Sequence, residues 1–235
     1  MRHARIERWS RGSSRIHDYH PIARILAAAV LLVCIATLGV GSSSACALYF
    51  ALLAAAAITA RLPLFEVLIQ ATAVLPFALC FAVISALAGE PGRAAMLMAR
   101  AYLSALAALL LIATTPLPAL FAGLESLRIP RFLLLVMQFL YRYLIVLGGE
   151  AAAMRDAARS RGGVNRSIEF RQAAGAAGVL FARSFARSEA IHQAMLSRGF
   201  TGHMPAAESR FFASQDGAFL LVASGLAIII RVNFA

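Results

Sequence analysis

Long apolar stretches, separated by short polar turns, occupy the first half of the chain. Apolar stretches of about 20 residues predict membrane-spanning helices. Four of them lie at 22–40, 45–60, 64–88 and 101–115, and a last apolar run lies at 217–230. Pro76 interrupts the third stretch, and a proline inside a helix predicts a kink. The pattern therefore predicts an all-α membrane protein with about five transmembrane helices.

Between the fourth and the last span, polar residues are mixed with apolar ones at helical spacing. We predict three helices here, a short one at 117–127 and two long ones at about 130–161 and 167–198. In the last of these, five apolar side chains fall on one face: Leu180, Phe181, Phe185, Ile191 and Met195. Such a stripe predicts packing against a neighbouring helix, so we expect the two long helices to cross each other.

Arginine is distributed unevenly along the chain, and its position predicts which segments face the cytoplasm. Six arginines lie in the segment that ends at Arg24 and nine lie in 150–216, so both regions are expected to be cytoplasmic. Four spans return the chain to that side before 132–147. We therefore interpret this apolar segment as an amphipathic helix that does not cross, with Gln138 and Arg142 on one face. The alternative is a further span at 132–147, which would place 150–216 outside.

These assignments divide the chain into four parts. Residues 1–21 are a cytoplasmic N-terminal segment, 22–116 a four-helix transmembrane part, 117–216 a cytoplasmic domain of about three helices, and 217–235 the last transmembrane helix. The expected location is the inner membrane of a bacterial-type cell, where the lipid bilayer surrounds the spans.

The composition excludes a soluble protein. Of the 235 residues, 61% are hydrophobic and 14% are charged, whereas soluble domains have about 45–50% apolar and about 25% charged residues. The net charge is +11, and the basic residues behind it are all arginines, since the sequence has no lysine. In a membrane protein such charge marks the cytoplasmic loops. No aromatic-rich basic module accompanies it, so we predict no binding of nucleic acid.

The sequence carries no motif of enzymatic chemistry. It has no phosphate-binding G-x-x-x-x-G-K-[ST] loop, no H-E-x-x-H pair and no paired Asp-rich motif, so we predict no catalytic residues, cofactor or resident metal. The cysteines Cys34, Cys46 and Cys80 lie in apolar runs without the spacing of a zinc site. One alternative is a membrane-embedded enzyme acting on lipid or isoprenoid. It would need clustered Asp, Glu or His residues, and the acidic residues here are scattered.

The two long predicted helices end alike. Residues 153–163 read AMRDAARSRGG and residues 190–200 read AIHQAMLSRGF, which match at five of eleven positions without a gap. The most specific part is a Ser-Arg-Gly triplet, present as Ser160-Arg161-Gly162 and again as Ser197-Arg198-Gly199. One such triplet is typical of a helix end, because glycine supplies a left-handed cap and arginine favours the negative end of the helix dipole. Two identical endings also predict two fixed guanidinium groups, each suited to a bidentate ion pair with a partner's carboxylate.

With these endings the sequence resembles the transmembrane T component of energy-coupling factor (ECF) transporters, the CbiQ/EcfT family. In that family two cytoplasmic coupling helices each end in an Ala/Ser-Arg-Gly/Ser motif, which docks into a groove of an ABC-type ATPase subunit. The matching residues here are Ser160, Arg161 and Gly162 in the first motif, and Ser197, Arg198 and Gly199 in the second. Ala158 and Arg159, followed by Ser160, give an alternative register of the first motif.

The resemblance implies an energy-coupling subunit, in which 117–216 is the coupling domain. Its partners would be two ABC-type ATPase subunits and a separate substrate-binding membrane S component. The segments 16–21 and 200–205 are most similar to the cobalt/nickel branch, where the S component binds metal and a small accessory membrane protein is common. The alternatives are a T component of a vitamin transporter and an ABC permease that carries its substrate itself.

Overall fold

The computed structural model describes residues 19–39, 42–127, 129–161, 166–202 and 213–234, and all regular structure in these ranges is helical. The helices are α1 Pro21–Ala36, α2 Ser43–Thr59, α3 Leu64–Ala71, α4 Leu75–Leu87, α5 Pro91–Thr114, α6 Leu117–Ser126, α7 Arg131–Ser160, α8 Arg166–Ser197 and α9 Ser214–Phe234. They belong to two compact units. The first unit comprises Met1–Leu127 and Glu208–Ala235, and the second comprises Arg128–Ala207.

The prediction of an all-α membrane protein is confirmed. Among the described residues, four helical segments are long and apolar enough to cross a membrane: Leu64–Leu87, Pro91–Thr114, Phe132–Ser160 and Ser214–Asn233. Two shorter apolar helices, Pro21–Ala36 and Ser43–Thr59, coincide with the first two predicted spans. The segment Phe132–Ser160 meets the criterion by length and composition, so a non-crossing helix at 132–147 stays a prediction.

The kink expected at Pro76 is present. Helix α3 ends at Ala71, a 3-10 turn occupies Thr72–Val74, and α4 begins at Leu75. A proline ring clashes with the carbonyl four residues earlier, which here is that of Thr72. The α-helical hydrogen bonding is therefore interrupted at Thr72–Val74, where it would clash with the proline ring. The apolar stretch continues through this break.

Helix α5 begins ten residues before the span predicted at 101–115. Pro91 occupies its first turn, where a missing N–H costs nothing. Glu90 and Arg93 form an ion pair at that end. The sequence interpretation was wrong about this boundary, because the charges near Pro91 were taken for a polar link.

Many side chains in the core of the first unit are small. Alanines on five helices are almost completely buried, among them Ala23, Ala45, Ala71, Ala107 and Ala227. Small residues let helix backbones approach closely, which favours association of helices in a membrane. One polar side chain also crosses this core, since the Tyr49 hydroxyl donates to the Ala227 carbonyl oxygen at 2.8 Å and so joins α2 to α9.

Buried polar contacts hold the start of α1 against α5 and α9. Asp216 is only 4% exposed. Its carboxylate accepts the backbone N–H of His20 at 2.7 Å and that of Ala213 at 2.9 Å. Arg24 is also buried and donates from Nη1 to the Thr114 carbonyl oxygen. The start of α1 is therefore a polar junction between three helices.

Helix α6 packs against the same end of α1. A Cβ atom at Gly123 would come within 2.8 Å of Ile25 Cδ1 and 3.2 Å of Pro21 Cβ, so any larger residue would displace these neighbours and glycine favours the close approach. The compact first unit consequently extends to Leu127. Its boundary lies beyond residue 116, where the sequence interpretation divides the transmembrane part from the coupling domain.

Candidate functional site

The second unit consists of the two long helices α7 and α8, which contact each other along part of their length. Arg187 Nη2 lies 2.5 Å from Glu150 Oε1, which gives an ion pair between the helices. Beside it, both helices line a cavity of about 510 Å³ with mostly apolar side chains: Val136, Phe139, Leu140, Tyr143, Leu147, Phe181, Phe185 and Ile191. The predicted apolar stripe of α8 thus faces α7 through three of its five members.

The end of α7 carries the first predicted motif. The hydroxyl of Ser160 donates to the Ala157 carbonyl oxygen at 2.9 Å, and the backbone N–H of Arg161 donates to Ala158 at 3.2 Å. Arg161 is the C-cap residue, and its side chain is exposed. Gly162 lies outside the described residues.

The end of α8 repeats this arrangement. The hydroxyl of Ser197 donates to the Ala194 carbonyl oxygen at 2.9 Å, three residues back as in the first motif. Gly199 has a φ of +76°, which L-residues with a side chain rarely adopt. The backbone N–H of Gly199 donates to the carbonyl oxygen of Leu196 at 3.0 Å. The backbone N–H of Phe200 donates to the carbonyl oxygen of Met195, also at 3.0 Å. This pattern is a Schellman cap, so the role of Gly199 as a helix terminator is confirmed.

Both arginines of the motifs are exposed, and within the described ranges neither Arg161 nor Arg198 forms an ion pair. Each of these arginines is thus accessible at the end of a long helix. Arg159 is exposed as well, and Ala158 is half-buried. The alternative register through Ala158 and Arg159 therefore stays open.

The 37-residue spacing of the internal repeat relates the two motif arginines and also the two members of the ion pair. Arg198 follows Arg161 by 37 residues, and Arg187 follows Glu150 by the same number. The ion pair thus joins two positions that are related by the spacing of the repeat, three residues before the repeated segments. Eleven residues separate it from each motif arginine, which is about 16 Å along a helix.

A comparison with protein families decides the identity. A family model described as CbiQ, cobalt transport protein, matches residues 15–207. The matched range contains α1 to α8 and both helix ends. The chain belongs to the CbiQ family.

Two curated relatives agree with membership of the CbiQ family. The Cobalt transport protein CbiQ of Rhodobacter capsulatus is 32% identical over 125 residues, which cover 53% of this chain and 51% of the relative. The Putative fused cobalt transport protein CbiMQ of Methanocorpusculum labreanum is 33% identical over 115 residues, which cover 47% of this chain and 19% of the relative. The matches therefore span about half and about a fifth of these relatives.

Sequence reasoning missed one pair of this CbiQ member. The Glu150–Arg187 ion pair was not expected, although the 37-residue spacing of the repeat relates its two members. Arg142, which lies on α7 in the apolar segment 132–147, is exposed.

In the described ranges, no three or more His, Cys, Asp or Glu side chains are close enough together to hold a metal ion. The exposed helix ends supply donors of hydrogen bonds rather than metal ligands. The site is thus chemically suited to bind carboxylates.

Proposed function

We propose that this chain is the energy-coupling T component of an ATP-driven ECF-type uptake transporter for cobalt or nickel. Its partners are two ABC-type ATPase subunits and a separate membrane S component that binds the metal, with a small accessory membrane protein in some complexes. The chain lies in the inner membrane as a multi-pass protein, and its coupling helices α7 and α8 face the cytoplasm. It carries no catalytic activity of its own.

One observation carries the proposal: two helices end in the same sequence motif, with an exposed arginine in each, eleven residues after the members of their ion pair. An isolated helix cap would account for Gly199. It would not account for the repeated arginine or for the equal lengths of 150–161 and 187–198, which we call the two docking arms. Two equal arms with identical tips suit a partner made of two related subunits. Arginine suits such a contact, because its planar fork binds a carboxylate through two parallel hydrogen bonds.

Cobalt is proposed as the substrate because the family and the two relatives are named for it. The lining of a cavity in the first unit is unsuited to a metal ion, which supports the assignment of metal binding to a separate subunit. It has a volume of about 430 Å³ and is lined mainly by Ala and Leu side chains, with Arg24 as its charged residue. Apolar walls and a guanidinium do not solvate a divalent cation. Nickel is included in the proposal because the sequence resembles the cobalt/nickel branch, and a vitamin substrate is the alternative for the S component.

The proposed mechanism transmits motion along the two helices. ATP binding and hydrolysis change the distance between the two ATPase subunits, and the tips with Arg161 and Arg198 follow them. Continuous helices of 30 and 32 residues act as stiff levers. Their apolar faces pass the motion to the S component, which then releases its metal on the cytoplasmic side.

Affinity purification of the tagged chain from its native membranes tests the proposal. We expect two ATPase subunits and a distinct membrane protein to co-purify, and the purified complex to hydrolyse ATP. An ABC permease that carries substrate itself would instead purify with ATPases but without a metal-binding membrane subunit. Recovery of the chain with no ATPase would contradict the proposal.

Topology gives an independent prediction. In a variant whose Cys34, Cys46 and Cys80 are replaced by alanine, a cysteine at the exposed Ala174 of α8 should react only with a reagent that enters the cytoplasm. A cysteine at Ser44, at the start of α2, is the matched control and should react from outside. This outcome follows from the arginine distribution. If Ala174→Cys is labelled from outside, the segment 132–147 crosses the membrane and α8 cannot reach cytoplasmic ATPases.

A further inference from the structure

The ion pair of Glu150 with Arg187 is a polar contact between α7 and α8. Its two side chains are 27% and 39% exposed, so water screens them only in part. Each residue lies eleven positions before a motif arginine. The pair therefore joins two positions that are related by the 37-residue spacing of the repeat and lie just before the repeated segments.

The apolar contact beside it is loose. Phe181 and Phe185 of α8 are 73% and 60% exposed, although both line the cavity between the helices. Apolar contacts are non-directional and would tolerate sliding of one helix past the other. A slip by one turn would move a helix tip by about 5.4 Å. A directional contact is needed to prevent it.

We propose that Glu150 and Arg187 are positioning residues, which fix the contact point of α7 and α8 and so give the two docking arms equal lengths. The contact between Glu150 and Arg187 is present in the structure. Its consequence for transport rests on the proposed coupling function. Equal arms make both tips respond alike when two related ATPase subunits move. With unequal arms, one tip would lag or detach during each cycle.

Charge reversal and restoration separate this role from ordinary packing. Glu150→Arg places two guanidinium groups opposite each other, Arg187→Glu places two carboxylates there, and the double exchange E150R/R187E restores an ion pair with reversed orientation. The matched control is Arg183→Glu, which makes the same charge change on α8 one turn from Arg187, at an exposed residue.

The first readout is the distance between spin labels in the purified chain. Cysteines at Asp156 and Gln193, which are equivalent exposed positions of the repeat, carry the labels in a background without the native cysteines. We expect one narrow distance distribution in the parent and in R183E. In each single reversal it should broaden or shift by about 5 Å, the length of one helical turn. The double exchange should bring it back.

The second readout is metal uptake by the complete transporter. Each single reversal should lower cobalt uptake by about tenfold, the order expected for loss of a partly buried charge pair, while the ATPase subunits still co-purify through Arg161 and Arg198. The double exchange should recover most of the uptake. Unchanged label distances in both single reversals, or a double exchange no better than either of them, would overturn the positioning role. A wild-type chain that binds no ATPase would instead refute the coupling function and leave the distance result intact.

Discussion

Replacing Arg161 and Arg198 together by alanine should abolish metal uptake, while the chain stays folded in the membrane. Truncation of one partner of a buried charge pair costs about 2–5 kcal/mol, largely because the other charge is left unpaired. One such loss should weaken the complex, and two should prevent its assembly. The fold should be unaffected, because both side chains are exposed and form no ion pair in the described residues.

Three further variants make the result specific. Arg161→Lys with Arg198→Lys keeps both charges but loses the forked geometry, so it should restore little uptake. Arg159→Ala alone tests the register of the first motif, and a loss as large as that of Arg161→Ala would favour the alternative register. Arg183→Ala removes an exposed arginine from α8 without touching a tip and should leave uptake unchanged. Normal uptake by the double alanine variant would mean that the triplets are helix caps only.

Replacing Asp216 by alanine should have the largest effect on stability, lowering the free energy of unfolding by about 3 kcal/mol. The change removes a charged acceptor from the buried N–H of His20 and from the N–H of Ala213. A buried donor left without an acceptor loses hydration without compensation. The junction between α1 and α9 should then open first.

The measurement for Asp216→Ala is the thermal unfolding of the purified chain in detergent, followed by circular dichroism. Asp216→Asn keeps one acceptor oxygen and should fall between wild type and the alanine variant. Asp156→Ala is the control, since Asp156 is an exposed carboxylate on α7 and surface substitutions usually change stability by at most about 0.5 kcal/mol. A melting temperature equal to that of the control would show that the contact with His20 contributes nothing.

Elements governed by local rules could be predicted from the sequence. The break before Pro76 follows from ring geometry, and the end of α8 follows from the glycine at 199. Apolar length located the apolar helices of the first unit. The start of α5 was misplaced because a proline at a first helical turn and a proline in a loop look alike when charges surround both.

Contacts between distant segments could not be predicted in this way. Nothing local indicates that His20 and Asp216, 196 positions apart, share a hydrogen bond, since it depends on how α1 and α9 pack. The same holds for Gly123, whose missing side chain matters only because α6 lies against Pro21. The Glu150–Arg187 pair is an intermediate case, because the repeat relates its members but does not show that the helices touch there.

The most direct test of the central claim is the stoichiometry of the complex, measured by native mass spectrometry after purification in mild detergent. The wild-type chain should carry two ATPase subunits. Arg161→Ala and Arg198→Ala should each reduce this number, and the double variant should carry none while retaining the metal-binding membrane subunit. Two ATPase subunits still bound to the double variant would contradict the account, because docking would then not depend on the two helix ends.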